Sequence, residues 1–584
     1  MEQEILRSEY PRPQFVREEW ETLNGIWDFS FDEPRYDRSI RVPFAYEAPL
    51  SGIGLREFHD IVWYRRFFVV PEGWEGKCVV LHIGAADLES DVWVNGMHAV
   101  QHTGGQTGFS ADITEMLREK QENELCIRVR DRSIALDIPR GKQYWKEKSD
   151  SIFYTGTVGI WQSVWLEPVE RTHLSEVRII PLLDERAVCF EYEISQPADC
   201  VLKLEIDFEG KRVAGASAEA HEGAGAITIQ LREETLGVWN IAEELGWTPE
   251  HPYLFNVVLC LFQGGKCLDR VRSYFGFRSV AVENGRFLLN GHPYYQRLLL
   301  DQGYWPQGLL TAPSDEAFAE DIRAVKALGY NGVRKHQKVE DPRFLYHADK
   351  IGLLVWGEIG SGYVFSQNLV QRLMAEWVQA VRRDCNHPCI VVWTPMNESW
   401  GATELAHRPE QRALCRALFH LTKALDQTRP VSENDGWEHT EDCELLTVHD
   451  YSSCEEQMAA RYSSRKELLS SQPAGRRLLL KGVTDSGAPV IVSEFGGISF
   501  RKNEKEGWGY SCASSEKDFL ERYRAVLRPL LSSLVVQGFC YTQLCDVEQE
   551  TNGLLNYDRT PKAPVEKLRG VMYAVDTDAV EDDA

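Results

Sequence analysis

The sequence has no long run of apolar residues and no N-terminal segment of the secretory type. No stretch of the chain approaches the roughly 18 uninterrupted apolar residues of a membrane-spanning helix. We therefore expect no such helix. The N-terminal stretch MEQEILRSEYPRPQF is charged and contains proline, which is not the composition of a signal peptide. We therefore expect neither a membrane anchor nor export.

Positive charge is also scarce. Lys and Arg together number 64, against 89 Asp and Glu, which gives a formal net charge of −25. A surface that binds phosphate groups needs clustered Lys and Arg, and the sequence contains no such cluster. This excludes nucleic acid and anionic membranes as expected partners, and the acidic excess is typical of a solvated surface.

The cysteines lack the spacing of a metal site. The 14 Cys are scattered from Cys78 to Cys545. Cys385 and Cys389 lie close together, as do Cys540 and Cys545, but neither pair has a matching second pair. Scattered thiols of this kind are typical of a reduced protein. We predict a cytoplasmic location and a substrate small enough to be imported.

The first half of the chain shows β-structure. With 43% hydrophobic residues and 17 Trp, the chain can build about two to four packed domains. Short apolar or alternating runs such as Cys78–Gly84 recur up to residue 171, and Asn95-Gly96 is a strong hairpin signal. They predict a β-sandwich. Further β-rich runs over 172–279 predict a second, immunoglobulin-like sandwich.

Over residues 280–584, strand-like runs alternate with helix-like runs. Ser314 can cap a helix whose Phe318, Ile322 and Val325 share one face. Eight strand candidates, mostly separated by helical stretches, predict a (β/α)8 TIM barrel. These candidates are YYQRLLLDQ, YNGVRKH, GLLVWGE, CIVVWTPMNE, PVSENDG, ELLTVHDY, PVIVSEFGG and QGFCYTQLCD.

Nearly every one of these runs begins apolar and ends polar. The carboxyl ends of barrel strands meet at one mouth, where active sites lie, so we expect these polar side chains to converge there. They are Asp301, Gln302, Arg334, Lys335, His336, Glu358, Asn397, Glu398, Asn434, Asp435, His449, Asp450, Tyr451, Glu494, Gln543 and Asp546.

Two of the carboxylates suggest a reaction. Glu398 ends the fourth run and Glu494 ends the seventh. A single carboxylate at either position could be a salt-bridged structural acid, but two that face each other across a barrel mouth suit cleavage of a glycosidic bond. One donates a proton to the departing oxygen, and the other meets the anomeric carbon. If the two carboxyl groups lie about 5 to 5.5 Å apart, one attacks the anomeric carbon directly and its configuration is retained. If they lie further apart, a water molecule fits between them and the configuration is inverted.

Longer motifs around these residues resemble glycoside hydrolase family 2. Asp384–Glu398 (DCNHPCIVVWTPMNE) resembles the acid/base signature, Asn331–His336 (NGVRKH) another family signature, and Val492–Gly497 (VSEFGG) the nucleophile strand. The resemblance extends over essentially the whole chain. The segments that resemble the family's N-terminal domain are Leu23–Phe29, Trp63–Arg66, Val94–Gly96 and Gly159–Trp165.

The resemblance implies both a fold and an activity. It implies a jelly-roll over 1–171, an immunoglobulin-like β-sandwich over 172–279 and a TIM barrel over 280–584. The implied activity is that of a retaining exo-glycosidase of the β-galactosidase/β-glucuronidase type. Glu398 would be its acid/base and Glu494 its nucleophile.

The resemblance also implies roles for neighbouring residues. Asn397 would bond the sugar's 2-hydroxyl, and Arg334 would pair with the nucleophile. Tyr451 would orient the nucleophile or simply pack, and His336 would contact the substrate or support the scaffold. The remaining candidate readers of sugar hydroxyls are Asp301, Gln302, Glu358, Asn434, Asp435, His449, Asp450, Gln543 and Asp546, with Trp356, Trp393 and Trp400 as candidate stacking walls.

Departures from the best-known family members narrow the substrate. The loop Asp546–Gly553 has no lysine where β-glucuronidases carry an Asn-x-Lys pair, which disfavours a glucuronide. The segment Glu358–Tyr363 offers no histidine comparable to the Mg2+ ligand of the large β-galactosidases, so we predict no metal and no cofactor. The leading substrate is a terminal β-galactoside of a small oligosaccharide or glycoside. A β-mannoside, β-glucoside, β-glucosaminide, arabinoside or galactofuranoside is the alternative.

Two further hypotheses differ in class. A non-catalytic carbohydrate-binding protein with this fold would be expected to lack a catalytic glutamate, and both are present here. A transglycosidase would use the same two residues and pass the sugar to another sugar instead of water. The resemblance is also compatible with a homo-oligomer.

Overall fold

The computed structural model describes residues 5–500 and 507–573, and the chain begins with a β-sandwich. Two antiparallel sheets enclose a core that includes Trp27 and Ile127. Glu122–Arg130 alternates between exposed or half-buried and buried residues, the pattern of a strand with one face in a core. The six-stranded sheet contains, in spatial order, Arg38–Val42, Gly25–Phe31, Ile61–Val69, Glu122–Arg130, Glu89–Val94 and Met97–Thr103. The four-stranded sheet contains Glu21–Thr22, Val164–Val169, Cys78–Ile83 and Phe109–Asp112, and Gly159–Ile160 pairs with Ala86–Asp87.

A second, smaller sandwich follows. Its core includes Phe190, Leu204, Leu259 and Phe275, which come from both of its sheets. The three-stranded sheet contains Leu174–Leu182, Ala187–Ile194 and Ala224–Gln230, and the four-stranded sheet contains Lys211–Ala220, Cys200–Phe208, Phe255–Gln263 and Lys266–Phe275. The short helices Glu233–Leu236 and Ile241–Leu245 join the two sheets. Both predicted β-sandwiches are therefore confirmed.

The third body is a parallel barrel, which completes the predicted architecture. After a small antiparallel sheet come seven parallel strands in the spatial order 4-3-2-1-8-7-6, counted along the chain with position 5 left open. Strands 1, 2, 3, 4, 6, 7 and 8 are Gln296–Asp301, Gly332–Lys335, Leu354–Glu358, Ile390–Thr394, Leu446–Asp450, Val490–Gly496 and Val536–Thr542, and the small antiparallel sheet contains Val280–Glu283, Arg286–Leu289 and His292–Pro293.

The predicted fifth strand, PVSENDG, is present without a regular ladder. Isolated parallel bridges join Trp393 to Val431 and Asn397 to Asp435, and the His449 amide lies 3.4 Å from the Gly436 carbonyl oxygen. These contacts place this segment between strands 4 and 6, so the barrel closes with eight positions.

Several barrel helices begin at a residue whose side chain caps the helix. The Ser314 hydroxyl accepts a hydrogen bond from the Ala317 amide, and Phe318, Ile322 and Val325 of this helix are buried, as predicted. Among the described residues, no helix has both the length and the apolar composition to cross a membrane. The barrel helices are Asp315–Ala327, Pro342–Ile351, Gln367–Asp384, Pro409–Leu425, Glu455–Arg461, Arg465–Ser470, Glu516–Leu531 and Val565–Tyr573.

The first sandwich contacts the mouth of the barrel. The Gly141 amide donates to the Ser361 carbonyl at 3.0 Å, and the Val339 amide donates to the Gln106 side chain at 2.8 Å. Gly141 has φ +59°, and a Cβ there would lie 2.2 Å from the Gln337 carbonyl oxygen. A glycine is therefore required for the loop to approach the barrel so closely. This contact brings side chains of the sandwich to the carboxyl ends of the barrel strands.

Candidate active site

The two predicted catalytic carboxylates lie side by side at the barrel mouth. Glu398 follows strand 4, and Glu494 lies within strand 7. One oxygen of each, together with a ring nitrogen of His449, lie within 4.8 Å of one another. The Glu398 side chain is 16% exposed and that of Glu494 is 6% exposed, so the first is the more accessible to an incoming group.

The backbone of Glu398 has an unusual conformation. Glu398 has φ +51° and Ser399 has φ +58°, both in the left-handed region that residues other than glycine rarely adopt. Asn434 supports this turn, because its Oδ1 accepts from the Ser399 amide at 2.8 Å and its Nδ2 donates to the Ser399 hydroxyl at 3.0 Å. Asn434 therefore positions the Glu398 turn.

Arg334 is the electrostatic centre of the site. Its guanidinium is fully buried and donates to Glu358 at 2.8 Å and to Glu494 at 2.9 Å. It also lies 2.8 Å from Asp435 and donates to the Asn397 side-chain oxygen at 2.6 Å. One cation thus organises residues from strands 2, 3, 4, 5 and 7, which brings the predicted site residues together.

The surroundings of Glu494 keep it ionised. Burial by itself would raise its pKa, but the charges of His449 and Arg334 and the hydrogen bond from Tyr451 lower the pKa to about 2. The Tyr451 hydroxyl donates to Glu494 Oε2 at 2.6 Å. A carboxylate that stays negative at neutral pH, with both oxygens held in place, can act as a nucleophile or stabilise a cation.

His449 connects Glu398 to Asp435. Its Nδ1 lies 2.7 Å from Glu398 Oε1, and its Nε2 lies 2.9 Å from Asp435 Oδ2. Burial would lower the pKa of His449, but Glu494 and the hydrogen bonds to Asp435 and Glu398 raise it to about 10. The ring therefore carries a proton on both nitrogens at neutral pH, and one of these protons lies against Glu398.

Some polar atoms of the site are left without a protein partner. Asn397 Nδ2 is a buried donor and Gln302 Oε1 is a buried acceptor. Neither forms a hydrogen bond with any residue in the described ranges 5–500 and 507–573. The oxygen of the same Asn397 amide accepts from Arg334, so this unpartnered donor belongs to the group of residues around Arg334. A buried polar atom without a partner is destabilising, and a sugar hydroxyl is a group that could satisfy it.

The other predicted site residues lie in two places. Glu358 and His336 join the Arg334 cluster, with His336 Nδ1 3.1 Å from Glu358. Gln302 donates to Gln543 at 2.9 Å, and Gln543 donates to Asn552 at 2.8 Å. This second group continues around the mouth along strands 1 and 8.

Asp301 departs from the expectation that strand-end polar residues face the cavity. Its carboxylate accepts from Lys335 at 2.6 Å, and Lys335 also lies 2.7 Å from Glu340. Successive side chains of a strand point in opposite directions, so Arg334 faces the mouth whereas Lys335 and its partner Asp301 belong to a separate ion-pair network. Asp450 is likewise bonded to Arg461 and to Tyr462.

Sequence reasoning missed the contribution of the first sandwich. Lys142 lies over the ring of Trp400, with its Nζ 4.9 Å from the ring centroid, and the Tyr154 hydroxyl donates to Glu550 at 2.5 Å. Trp400 lies close to Lys142 and His336, whereas Trp356 and Trp393, the other two candidate stacking walls, are buried in the core. No local pattern marks Lys142 or Tyr154, because their position depends on how two domains pack.

The site also contains atoms of metal-ligand type. Those of Glu398, His449 and Glu494 lie close enough to hold one cation. A histidine ligand must, however, be neutral, whereas the carboxylates around His449 raise its pKa to about 10. His449 therefore shares its protons with Glu398 and Asp435.

Removing the buried cation should disrupt the site. We expect Arg334→Met to lower the free energy of unfolding by about 3–5 kcal/mol, because Glu358, Asp435 and Glu494 would lose their shared partner in a buried site. Denaturant unfolding measures this change. Arg524→Met, at an exposed helix position, is the control and should leave the stability unchanged. An Arg334→Met protein with wild-type stability would contradict this account of the cluster.

Comparison with known proteins supplies the family context. The family model described as "Glycosyl hydrolases family 2, TIM barrel domain" matches residues 280–577. The family's sugar binding domain matches residues 24–166, and a third model, "Glycosyl hydrolases family 2", matches residues 172–278. These matches leave few residues of the chain uncovered.

Individual relatives carry two different names. A β-galactosidase of Thermoanaerobacter pseudethanolicus is 27% identical to this chain. The alignment covers 70% of this chain and 53% of the length of that enzyme. A β-glucuronidase of Paenibacillus borealis is 24% identical and covers 96% of this chain and 98% of its own. A solved β-D-glucuronidase from Dictyoglomus thermophilum has a TM-score of 0.75 at 20% identity, over 96% of this chain and 98% of its own.

Proposed function

Because this chain belongs to glycoside hydrolase family 2, we propose that it is a retaining exo-glycosidase that removes a terminal, non-reducing neutral sugar, with a β-galactoside as the leading substrate. The observation that carries the proposal is the placement of Glu398 and Glu494 oxygens within 4.8 Å of each other. A short separation suits direct attack by one carboxylate, whereas the carboxyl groups of inverting enzymes stand roughly 6.5–9.5 Å apart to admit a water molecule.

In the first step, Glu398 acts as general acid and Glu494 as nucleophile. The Glu494 carboxylate attacks the anomeric carbon as the bond to the leaving oxygen breaks, and Glu398 gives its proton to that oxygen. The products are a free alcohol and a glycosyl ester of Glu494. The low pKa of Glu494 supports its role, since an ionised carboxylate is required for the attack.

In the second step, water replaces the alcohol. Glu398, now a carboxylate, takes a proton from a water molecule whose oxygen attacks the anomeric carbon, and the bond to Glu494 breaks. Two inversions restore the original configuration. His449, hydrogen-bonded to Glu398 at 2.7 Å, is positioned to stabilise the negative charge that Glu398 carries between the two steps.

The remaining cluster prepares the transition state. Arg334 and Tyr451 hold the two oxygens of Glu494, so little reorganisation is needed during attack. The unpartnered Nδ2 of Asn397 suits the 2-hydroxyl of the sugar, a contact that can strengthen in the transition state.

The choice of a neutral sugar rests on the charges around the mouth. Relatives named β-glucuronidase favour a uronide as the second candidate. Against it stand the loop after strand 8, which has no lysine, and the buried carboxylate of Glu550 in that same loop. The same chemistry would cleave a β-mannoside, β-glucoside, arabinoside or galactofuranoside. It would also allow transfer of the sugar from Glu494 to a sugar acceptor in place of water.

A panel of nitrophenyl glycosides tests the proposal. We expect the highest kcat/KM on a neutral β-glycoside, and proton NMR of the first product should show the substrate's own anomeric configuration. The panel should include the galactoside, glucoside, mannoside, glucosaminide, arabinoside, galactofuranoside, glucuronide and galacturonide. An inverted first product, or release from within an oligosaccharide instead of from its end, would contradict the proposal.

A further inference from the structure

A loop of the first sandwich delivers a lysine to the barrel mouth. The Lys142 carbonyl accepts from the Tyr154 amide at 2.9 Å, and the neighbouring Gly141 amide donates to Ser361 at 3.0 Å. These bonds seat Lys142 and Tyr154 on the loops that follow the barrel strands. Both residues are buried there, with Lys142 7% exposed and Tyr154 fully covered.

The ammonium group of Lys142 has no hydrogen bond and no ion pair with any residue of the described ranges. Its contacts are to aromatic rings, 4.9 Å to the Trp400 centroid and 5.9 Å to the Phe153 centroid. Burial lowers the pKa of Lys142, and the charges of Glu550, Glu494, Glu398 and Glu358 act in the opposite direction. A buried ammonium group with no hydrogen-bonded partner is energetically costly, so a bound ligand could supply the missing partner.

The acid whose charge acts most strongly on Lys142 is Glu550, in the loop after strand 8. Its side chain is anchored on both oxygens, by the Tyr154 hydroxyl at 2.5 Å and by Asn552 Nδ2 at 2.9 Å. Burial raises the pKa of Glu550, and the charge of Lys142 is the largest of the effects that lower it. Since Tyr154 is bonded to Glu550 through its side chain and to Lys142 through its backbone, the two charges are held close without direct contact.

The barrel order defines which part of the sugar faces this pair. Strand 4, which ends in Asn397 and Glu398, and strand 8, which precedes Glu550, lie on opposite sides of the barrel. In a pyranose, C2 and the ring oxygen flank the anomeric carbon on opposite sides. A sugar whose 2-hydroxyl meets Asn397 therefore directs its C5 substituent, the C6 group, towards Lys142 and Glu550.

We propose that Lys142 and Glu550, one from each domain, together bind the 6-hydroxyl of the terminal sugar and exclude a sugar that carries a carboxylate there. This inference rests on the proposed glycosidase function. Lys142 donates to the hydroxyl oxygen, and Glu550 accepts the hydroxyl proton. A hydroxyl fits between a donor and an acceptor because it is both, whereas a carboxylate only accepts and meets the like charge of Glu550.

The decisive measurement is the ratio of kcat/KM for the uronide to that for the matching hexoside. We expect Glu550→Gln to raise this ratio by about 100-fold, because the substitution removes the like charge and leaves Lys142 free to bind the carboxylate. The amide oxygen of the variant still accepts from Tyr154, but its NH2 group cannot accept from Asn552 Nδ2, so a thermal melt checks that the variant keeps its fold. Lys148→Met, at an exposed site of the same sandwich loop, is the control and should leave the ratio unchanged.

A second variant tests the donor. We expect Lys142→Met to lower kcat/KM for the hexoside by about 100-fold, while the 6-deoxy hexoside, which lacks the hydroxyl, loses little. An equal loss on both substrates would assign Lys142 a structural role and overturn the inference. So would an unchanged uronide-to-hexoside ratio in a folded Glu550→Gln protein, or a wild-type preference for the uronide.

Binding distinguishes failure of this inference from failure of the proposed function. If no panel substrate is cleaved, the glycosidase proposal fails, and calorimetry with free galactose and galacturonate still compares wild-type protein with Glu550→Gln. Tighter binding of galacturonate to the variant would support the charge pair. Equal weak binding to both proteins would overturn it.

Discussion

Glu494→Ala should lower kcat on the best glycoside by about 10⁴-fold or more, since losses of this size follow removal of a nucleophile. Without Glu494, no covalent ester can form and nothing offsets the positive charge that develops at the anomeric carbon. The fold should survive, because Arg334 keeps Glu358 and Asp435 as partners. Steady-state kinetics with a thermal melt of each protein measures both effects.

Azide shows which face of the sugar Glu494 occupies. In Glu494→Ala, azide can enter the space left by the carboxylate and attack the anomeric carbon from that side. The glycosyl azide formed should then have the configuration opposite to that of the substrate. Glu410→Ala, on an exposed helix position, is the control and should behave as wild type. Retention of more than about a tenth of the activity by Glu494→Ala would exclude the assigned nucleophile.

Glu398→Ala should give a loss that depends on the leaving group. For an alkyl glycoside, whose oxygen must be protonated as it departs, we expect kcat/KM to fall by about 10³-fold, within the range of general acid catalysis. For a dinitrophenyl glycoside, whose oxygen departs as a stable anion, the loss in this step should be much smaller. A series of aryl glycosides of graded leaving-group pKa measures the difference.

The stereochemistry of azide rescue separates the two glutamates. In Glu398→Ala, the glycosyl ester on Glu494 still forms, and azide then attacks it from the side that Glu398 occupied. The product should be a glycosyl azide of the substrate's own configuration, the opposite of the result with Glu494→Ala. Losses independent of the leaving group, or an exchange of the two azide products, would mean that the roles are reversed or wrongly assigned.

The convergence of the site residues was predictable because it follows from a local pattern. An apolar run that ends in a polar residue marks the carboxyl end of a buried strand, and a closed parallel barrel gathers these ends at one mouth. Glu398 and Glu494 are 96 positions apart in the chain by their numbers, yet the barrel alone brings them together. The prediction of the Ser314 cap succeeded for a similar reason, since a helix start depends on adjacent residues.

The sequence did not show which of the polar residues at the strand ends face the mouth of the barrel. That depends on the exact register of each strand and on the partner that each side chain finds. Asp301 ends its strand as predicted, but it pairs with Lys335 and lies outside the Arg334 cluster. The position at which a strand ends does not fix the strand's register in the sheet. A shift of the register by one residue turns each side chain to the opposite face. Asn434 likewise lies at the mouth, but its amide is used to hold the Ser399 turn.

The amino-acid pattern alone predicted two sandwiches and a barrel, because each depends on periodicity within short segments, and the barrel in turn predicted that Glu398 and Glu494 would face each other. The folded chain was needed to reveal that Arg334 binds several side chains at once, that His449 lies between Glu398 and Asp435, and that Lys142 reaches the mouth from another domain. These features depend on distances between residues far apart in the chain. Such distances are set by the packing of whole elements, which no local pattern records.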